Sequence, residues 1–304
     1  MTYLHAIIIA ILQGISELFP VSSLGHAVLL PRLLHWGIDE KSKQWLAFLV
    51  ALHLGTAVAL LIYFRDEWTG VVQAFVRSVR NAQIGQEEED RLAWMVILGT
   101  IPAGLVGFVL EHPLRSLFGS PYTAAAFLMV NGVIMFVGER LLQRQAAERA
   151  AAVHASARTA DGGAVALAPP GGGRYRDITQ LSWRDAAIVG FAQIGALIPG
   201  ISRSGITMVA GLTAGLTHEA SARYTFLLAT PIIAAAGLLE IPQLFDQSGR
   251  SVLGQAIVGM VLAGIAAYFA VRFLMRYFDD GKLYPFAYYC VAAGAVSILL
   301  LSIT

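Results

Sequence analysis

Two apolar stretches of this chain are each interrupted by a polar, proline-containing segment, and this pair of breaks limits the possible folds more than any other feature. The first break reads Gln13-Gly14-Ile15-Ser16-Glu17-Leu18-Phe19-Pro20-Val21-Ser22-Ser23-Leu24-Gly25-His26, within Leu4 to Leu34. The second reads Pro199-Gly200-Ile201-Ser202-Arg203-Ser204-Gly205, within Ala186 to Leu216. The surrounding chain is 57% hydrophobic and 13% charged, the composition of a polytopic membrane protein. Each broken stretch leaves two short arms, which predicts a re-entrant hairpin or a broken helix with its tip at membrane depth. Polar groups are costly there and mark a functional site by default.

Six further stretches are long and apolar enough to span a bilayer: Trp45 to Phe64, Leu92 to Leu110, Tyr122 to Leu142, Tyr224 to Leu244, Val252 to Met275 and Tyr284 to Ile303. The expected class is therefore an all-α polytopic membrane protein. Each break is followed by three spans, and Phe48-Leu49-Val50-Ala51 after the first recurs as Phe226-Leu227-Leu228-Ala229 after the second. An odd number of spans per half predicts an inverted-topology repeat, in which paired interrupted segments point to the binding site. The expected divisions are a first membrane repeat over 1–142, a partly disordered cytoplasmic linker over 143–181 and a second, inverted repeat over 182–304. Ser182 is expected to cap the helix that follows the linker, with Asp185 in its first turn.

Loop charge orients the chain. The side from which the first hairpin enters carries Arg32, Lys41, Lys43, Arg115 and Arg250, against about fifteen Lys and Arg on the other side. The basic side should be cytoplasmic, so the first break enters from outside. A formal net charge of +1 excludes a strongly basic nucleic-acid binder. Cys290, the single cysteine, cannot form an intrachain disulfide and reads as a small core residue. No cleavable signal peptide is expected, because the first apolar run lacks a basic leader and is interrupted at Gln13. The acidic run Glu87 to Asp90 reads as a solvated loop and helix start.

The breaks have readable local chemistry. Gln13 and Glu17 are four residues apart and share a helix face. Pro20 should stop the first arm near Phe19. Ser22 or Ser23 can cap the second arm, whose free N–H groups form an anion site, and His26 follows Ser23 by three residues. Arg203 needs an anionic partner at this depth, either a phosphate or a structural pair with Glu17. His53 reads as a satisfied buried histidine and Glu240 as interfacial. Gly55, Gly99, Gly104, Gly107, Gly259 and Gly264 read as helix-packing residues, and Trp68 and Trp94 as interface anchors.

The two motifs, in this order and spacing, resemble the undecaprenyl diphosphate phosphatase family of bacterial inner membranes over nearly the whole chain. The resemblance implies hydrolysis of undecaprenyl diphosphate to undecaprenyl phosphate and inorganic phosphate, recycling the lipid carrier of cell-wall synthesis, with a divalent cation, Mg2+ or Ca2+. It implies Ser23, His26, Glu17 and Arg203 as catalytic residues and Glu17 as metal ligand. Gln13, Ser22, Gly200, Ser202, Ser204 and Gly205 would bind substrate. Either Ser23 or His26 would be the nucleophile, with His26 or Glu17 as base. Two positions depart from the family pattern: Gln13 stands where Glu is frequent, and Leu24 where Thr is common. The expected partners are the long-chain polyprenyl diphosphate and the bilayer, with a homodimer left open and no nucleic acid. The active site should open to the periplasmic side. The competing reading is a secondary transporter or flippase of a lipid phosphate, since a midplane anion site in an inverted repeat also serves transport.

Overall fold

The structure, a computed structural model, describes residues 1–40, 42–82, 84–85, 87–110, 120–159 and 176–303. The secondary structure of these residues is helical, apart from one isolated bridge between Arg176 and Leu216. Thr2 caps α1 (Tyr3–Ser16), which stops short of Pro20. Ser22, at φ 66°, caps α2 (Ser23–Leu33) by accepting from Gly25 N. Then come α3 (Lys43–Tyr63), α4 (Arg65–Arg80), α5 (Glu88–Val109) and the long α6 (Pro121–Thr159). The second half opens with α7 (Trp183–Ala192), which starts at a capping box formed by Ser182 and Asp185, as expected. A 3-10 turn (Gln193–Leu197) and the second break lead to α8 (Arg203–Thr213), capped by Ser202. The chain ends with α9 (His218–Phe245), α10 (Leu253–Tyr277) and α11 (Tyr284–Ile303).

Among the described residues, six helices are long and apolar enough to cross a membrane: α3, α5, α6 up to Arg144, α9 up to Leu239, α10 and α11. They coincide with the six expected stretches, and the chain is a multi-pass membrane protein. Helix α9 starts at His218, six residues before the expected Tyr224, because Thr217 caps it. Helix α6 runs on to Thr159, past the expected span end at Leu142. The helix α4 was not anticipated. It is amphipathic, with exposed Val72, Val76 and Val79, acidic residues in its first turn and Arg77 and Arg80 in its last. The acidic run beside it is more than a solvated loop: Asp90 is buried and accepts from Arg77 Nη2 at 2.8 Å, tying α5 to α4. Residues 160–175, Lys41, Arg115 and the side chain of Glu240 lie outside the described residues, and with them the middle of the expected linker, whose first part continues α6.

Helix α3 packs along α10 and α9, α6 along α11, α1 on α10, and α5 on α7. The α3–α10 crossing depends on Gly55, where an added Cβ would stand 2.1 Å from the Met260 carbonyl oxygen. That agrees with the packing reading of Gly55. Gly104 does not fit that reading, because an added Cβ there would meet nothing within 4 Å. Both arms that follow a break, α2 and α8, lie against α6. Loop contacts sort to two ends. Gln255 with Met1, Tyr122 with Leu301 and His5 stacked on Trp36 mark one end. Arg223 with Glu67, Arg91 with Thr179 O and Leu283 N with Glu139 mark the other.

Candidate active site

The two breaks meet. Pro20 ends α1, so Glu17 sits at the mouth of the first turn, and the reversal that follows brings Ser23 back over it. Ser23 Oγ donates to Glu17 Oε2, and Arg203 Nη2 donates to Glu17 Oε1. His53, on α3, places Nε2 3.3 Å from the same Oε2. Its Nδ1 donates to Leu49 O at 2.7 Å, so a protonated ring also donates to the carboxylate. Glu17 is 7% exposed and Arg203 17%, so this charge pair is largely withdrawn from water, where pairing matters most.

Two helix starts frame the cluster. Ser22 and Ser202 each cap their helix by accepting from the N–H of Gly25 and Gly205, both at 3.2 Å. The leading N–H groups of α2 and α8 lack intrahelical acceptors, as at any helix start, and favour an anion. Gly200 allows this approach: its φ is +100°, and a Cβ there would stand 2.3 Å from Ala124 O. Gly25 lies directly against Gly200, with a Cβ on Gly25 reaching 3.3 Å from Gly200 Cα.

Glu17, Ser22, Ser23, His53, Ser202 and Arg203 line a cavity of about 380 Å³. Its other walls are mostly apolar, from Leu24, Val28, Trp45, Leu46, Leu49, Ile232 and Ile233, with Glu40 among them. A cluster of anion-binding groups against apolar walls suits an amphiphile with a phosphorylated head.

Not every expected residue joins the cluster. His26 faces away from the cavity: its Nδ1 donates to Ser22 O and its Nε2 accepts from the Tyr289 hydroxyl, each at 2.7 Å. Its hydrogen bonds thus go to Ser22 and Tyr289 while that of Ser23 goes to Glu17, and the imidazole braces the Ser22 backbone. Gln13 is buried one turn before Glu17, but its Oε1 accepts from Thr56 Oγ1 at 3.2 Å, away from the cavity lining. Ser204 also points elsewhere, donating to Phe19 O at 3.0 Å across the two breaks. Gly205 lies against Asn131 Oδ1.

Three residues at or beside the site were not selected from the sequence. His53 was read as a satisfied core histidine; the available signal was an ionisable side chain inside an otherwise apolar span. Gln193 lines the cavity and donates from Nε2 to Gly99 O at 2.7 Å. It precedes the second break much as Gln13 opens the first. Asn131, fully buried in α6, accepts from Ser202 N and donates to Pro20 O. For a metal ion the cavity is a poor host. Both Glu17 oxygens are engaged, Glu40 is the other carboxylate lining it, and the described residues contain no cluster of three or more metal-binding side chains.

Residues 6–296 match the family described as Bacitracin resistance protein BacA. The chain is 45% identical to undecaprenyl-diphosphatase 2 of Frankia alni, covering 97% of each chain. It is 44% identical to the undecaprenyl-diphosphatase of Mycolicibacterium paratuberculosis, over 100% of this chain and 98% of the relative. It is 46% identical to undecaprenyl-diphosphatase 1 of Burkholderia pseudomallei, over 95% and 93% respectively. The match runs through both breaks and five whole spans and ends within the sixth, and the chain belongs to the bacitracin resistance protein BacA family.

Proposed function

We propose that this protein is a membrane-embedded phosphatase that hydrolyses undecaprenyl diphosphate to undecaprenyl phosphate and inorganic phosphate. The observation that carries the reading is a serine hydroxyl bonded to a carboxylate that an arginine also holds, all facing one membrane cavity. The names of the relatives supply the substrate.

Ser23 is the nucleophile in this reading, and Glu17 is its base. Glu17 takes the hydroxyl proton as Oγ attacks the terminal phosphorus. The Oγ–P bond forms, the anhydride P–O bond breaks, and undecaprenyl phosphate leaves with the bridging oxygen. Water then attacks the phosphoserine phosphorus, one of its protons returns to Oγ, and the Glu17 proton leaves with the phosphate. Arg203 and the first N–H groups of α2 and α8 offset charge on the phosphoryl group in transfer, which is the main electrostatic task of such a site. His53 holds the Glu17 carboxylate in place, and His26 keeps the Ser22 turn in shape. The apolar walls receive the start of the prenyl chain.

A divalent cation, Mg2+ or Ca2+, has no protein cage here, so no step is assigned to it. The cavity draws on the first half of α3 and the second halves of α5 and α9, through Leu46, Ala103 and Ile233. These segments adjoin the sparsely basic end, which supports an opening to the periplasmic side of the cytoplasmic membrane.

The test is phosphate release from undecaprenyl diphosphate by the purified protein, alongside Ser23→Ala and Arg203→Ala. We expect kcat to fall by about 10³-fold or more in both, with the fold retained. Wild-type protein that releases no phosphate, across varied divalent ions and detergents, would move the weight to a lipid-phosphate transporter.

A further inference from the structure

The catalytic groups of the proposed reaction come from segments far apart in the chain, and one side chain outside the cavity joins their backbones. Asn131 lies in α6 with none of its surface exposed. Its Oδ1 accepts from Ser202 N at 3.0 Å, and its Nδ2 donates to Pro20 O at 3.0 Å and to Cys290 Sγ at 3.4 Å. One partner is an obligate donor and the other an obligate acceptor, so the amide has a single orientation. Pro20 lies midway between Glu17 and Ser23, and Ser202 immediately precedes Arg203. One rigid amide therefore spans from the turn carrying the serine and carboxylate to the cap carrying the arginine.

A buried amide in an apolar span is costly unless its bonds are satisfied. Here every bond goes to the breaks or to the helix beside them. The other direct ties between the breaks, Ser204 to Phe19 O and Arg203 to Glu17, bind the breaks to each other. Asn131 alone among these ties anchors both to a membrane-spanning helix. We propose that Asn131 is a positioning residue that sets the distance from Ser23 and Glu17 to Arg203 and holds that geometry against α6. This inference rests on the phosphatase reading for its kinetic consequences, but the anchoring itself does not depend on that reading.

Asn131→Leu keeps the branched shape and the number of side-chain heavy atoms and removes the hydrogen bonds to Ser202 N, Pro20 O and Cys290 Sγ. We expect kcat for undecaprenyl diphosphate to fall about 100-fold, the loss typical of a misplaced catalytic group, with a much smaller change in KM. In an Arg203→Ala background the same change should cost no more than about twofold, because the distance it sets no longer matters. Asn131→Asp retains an acceptor for Ser202 N but not the donor for Pro20 O. It is the second variant should leucine fail to fold, with a loss in the same direction. A folded variant that keeps kcat within threefold, or whose loss is fully additive with Arg203→Ala, overturns the proposal. A separate readout is the rise in unfolding temperature that inorganic phosphate gives the protein, which should shrink in Asn131→Leu as it does in Arg203→Ala. If the wild type releases no phosphate, the functional reading fails, and this binding readout still decides the role of Asn131.

Discussion

Glu17→Gln separates the two jobs assigned to the carboxylate, because it removes the charge and keeps the shape. In the wild type Glu17 accepts from Arg203 on one oxygen and from Ser23 on the other, with His53 3.3 Å away. An amide cannot accept on both atoms, so either Arg203 or Ser23 then faces an N–H. Two unit charges this close are worth about 4 kcal/mol at an effective dielectric near 20. Breaking a buried pair costs about 3–5 kcal/mol because one charge is left uncompensated. The variant should therefore be less stable in detergent, with Arg203 lacking a counter-charge. A phosphate anion can supply that charge, and even a quarter of the lost energy, about 1 kcal/mol, tightens phosphate binding about fivefold. Loss of the base lowers kcat by about 10²–10⁴-fold. The expected signature is a collapsed kcat with an unchanged or lower KM, and a larger stabilisation by inorganic phosphate than in the wild type. Steady-state phosphate release and thermal unfolding with and without phosphate measure all of these. A kcat within tenfold of the wild type, or a KM raised tenfold, would refute the assignment of Glu17 as both base and counter-ion.

His53→Gln removes one partner from Glu17 Oε2. At 3.3 Å and 29% exposure the bond ranks at the low end for charged groups, about 1.5 kcal/mol, so kcat should fall about tenfold; an unchanged kcat would return His53 to a packing role. Gly55→Val forces a side chain into the Met260 carbonyl and should cost about 1–3 kcal/mol or more of stability. Gly104→Ala, with open space around it, should shift thermal unfolding little, and equal losses in the two would discredit the packing account. Glu40→Cys should react with an impermeant thiol reagent in intact cells and then lose phosphate release, against the silent background of fully buried Cys290; reaction only after lysis would reverse the membrane orientation.

The spans and both breaks were legible because lipid makes the constraint severe: long apolar runs have one use there, and polar residues between them need a reason. Pro20 ended the first arm, Ser22 capped the second, and Glu17, Ser23 and Arg203 came together. What stayed hidden depends on direction around a helix axis. Ser23 and His26 are three apart, yet Ser22 at φ 66° turns the start of α2 so that Ser23 meets Glu17 and His26 meets Tyr289. Gln13 and Glu17 do share a face, but the face divides between Thr56 and the cavity. His53 lies in an apolar span whose neighbours could not be known before α3 was docked. Helix α4 escaped notice because its amphipathic pattern, unlike a span, carries no length requirement.

The division of labour between the breaks follows from electrostatics. A buried serine and carboxylate alone would repel a diphosphate, and an arginine alone would bind it without chemistry. Joining them neutralises the pair until substrate arrives, which keeps the desolvated charges tolerable in a membrane. In the proposed mechanism, the same pairing means that substrate must compete with Glu17 for Arg203. Tight ground-state binding is thereby reduced, while charge that develops on the transferring phosphoryl group gains a partner held in place by two helix starts. Such a balance survives only if the two breaks cannot drift apart. Ser204 on Phe19 O, Gly25 against Gly200 and Asn131 between Pro20 and Ser202 all act on that one distance.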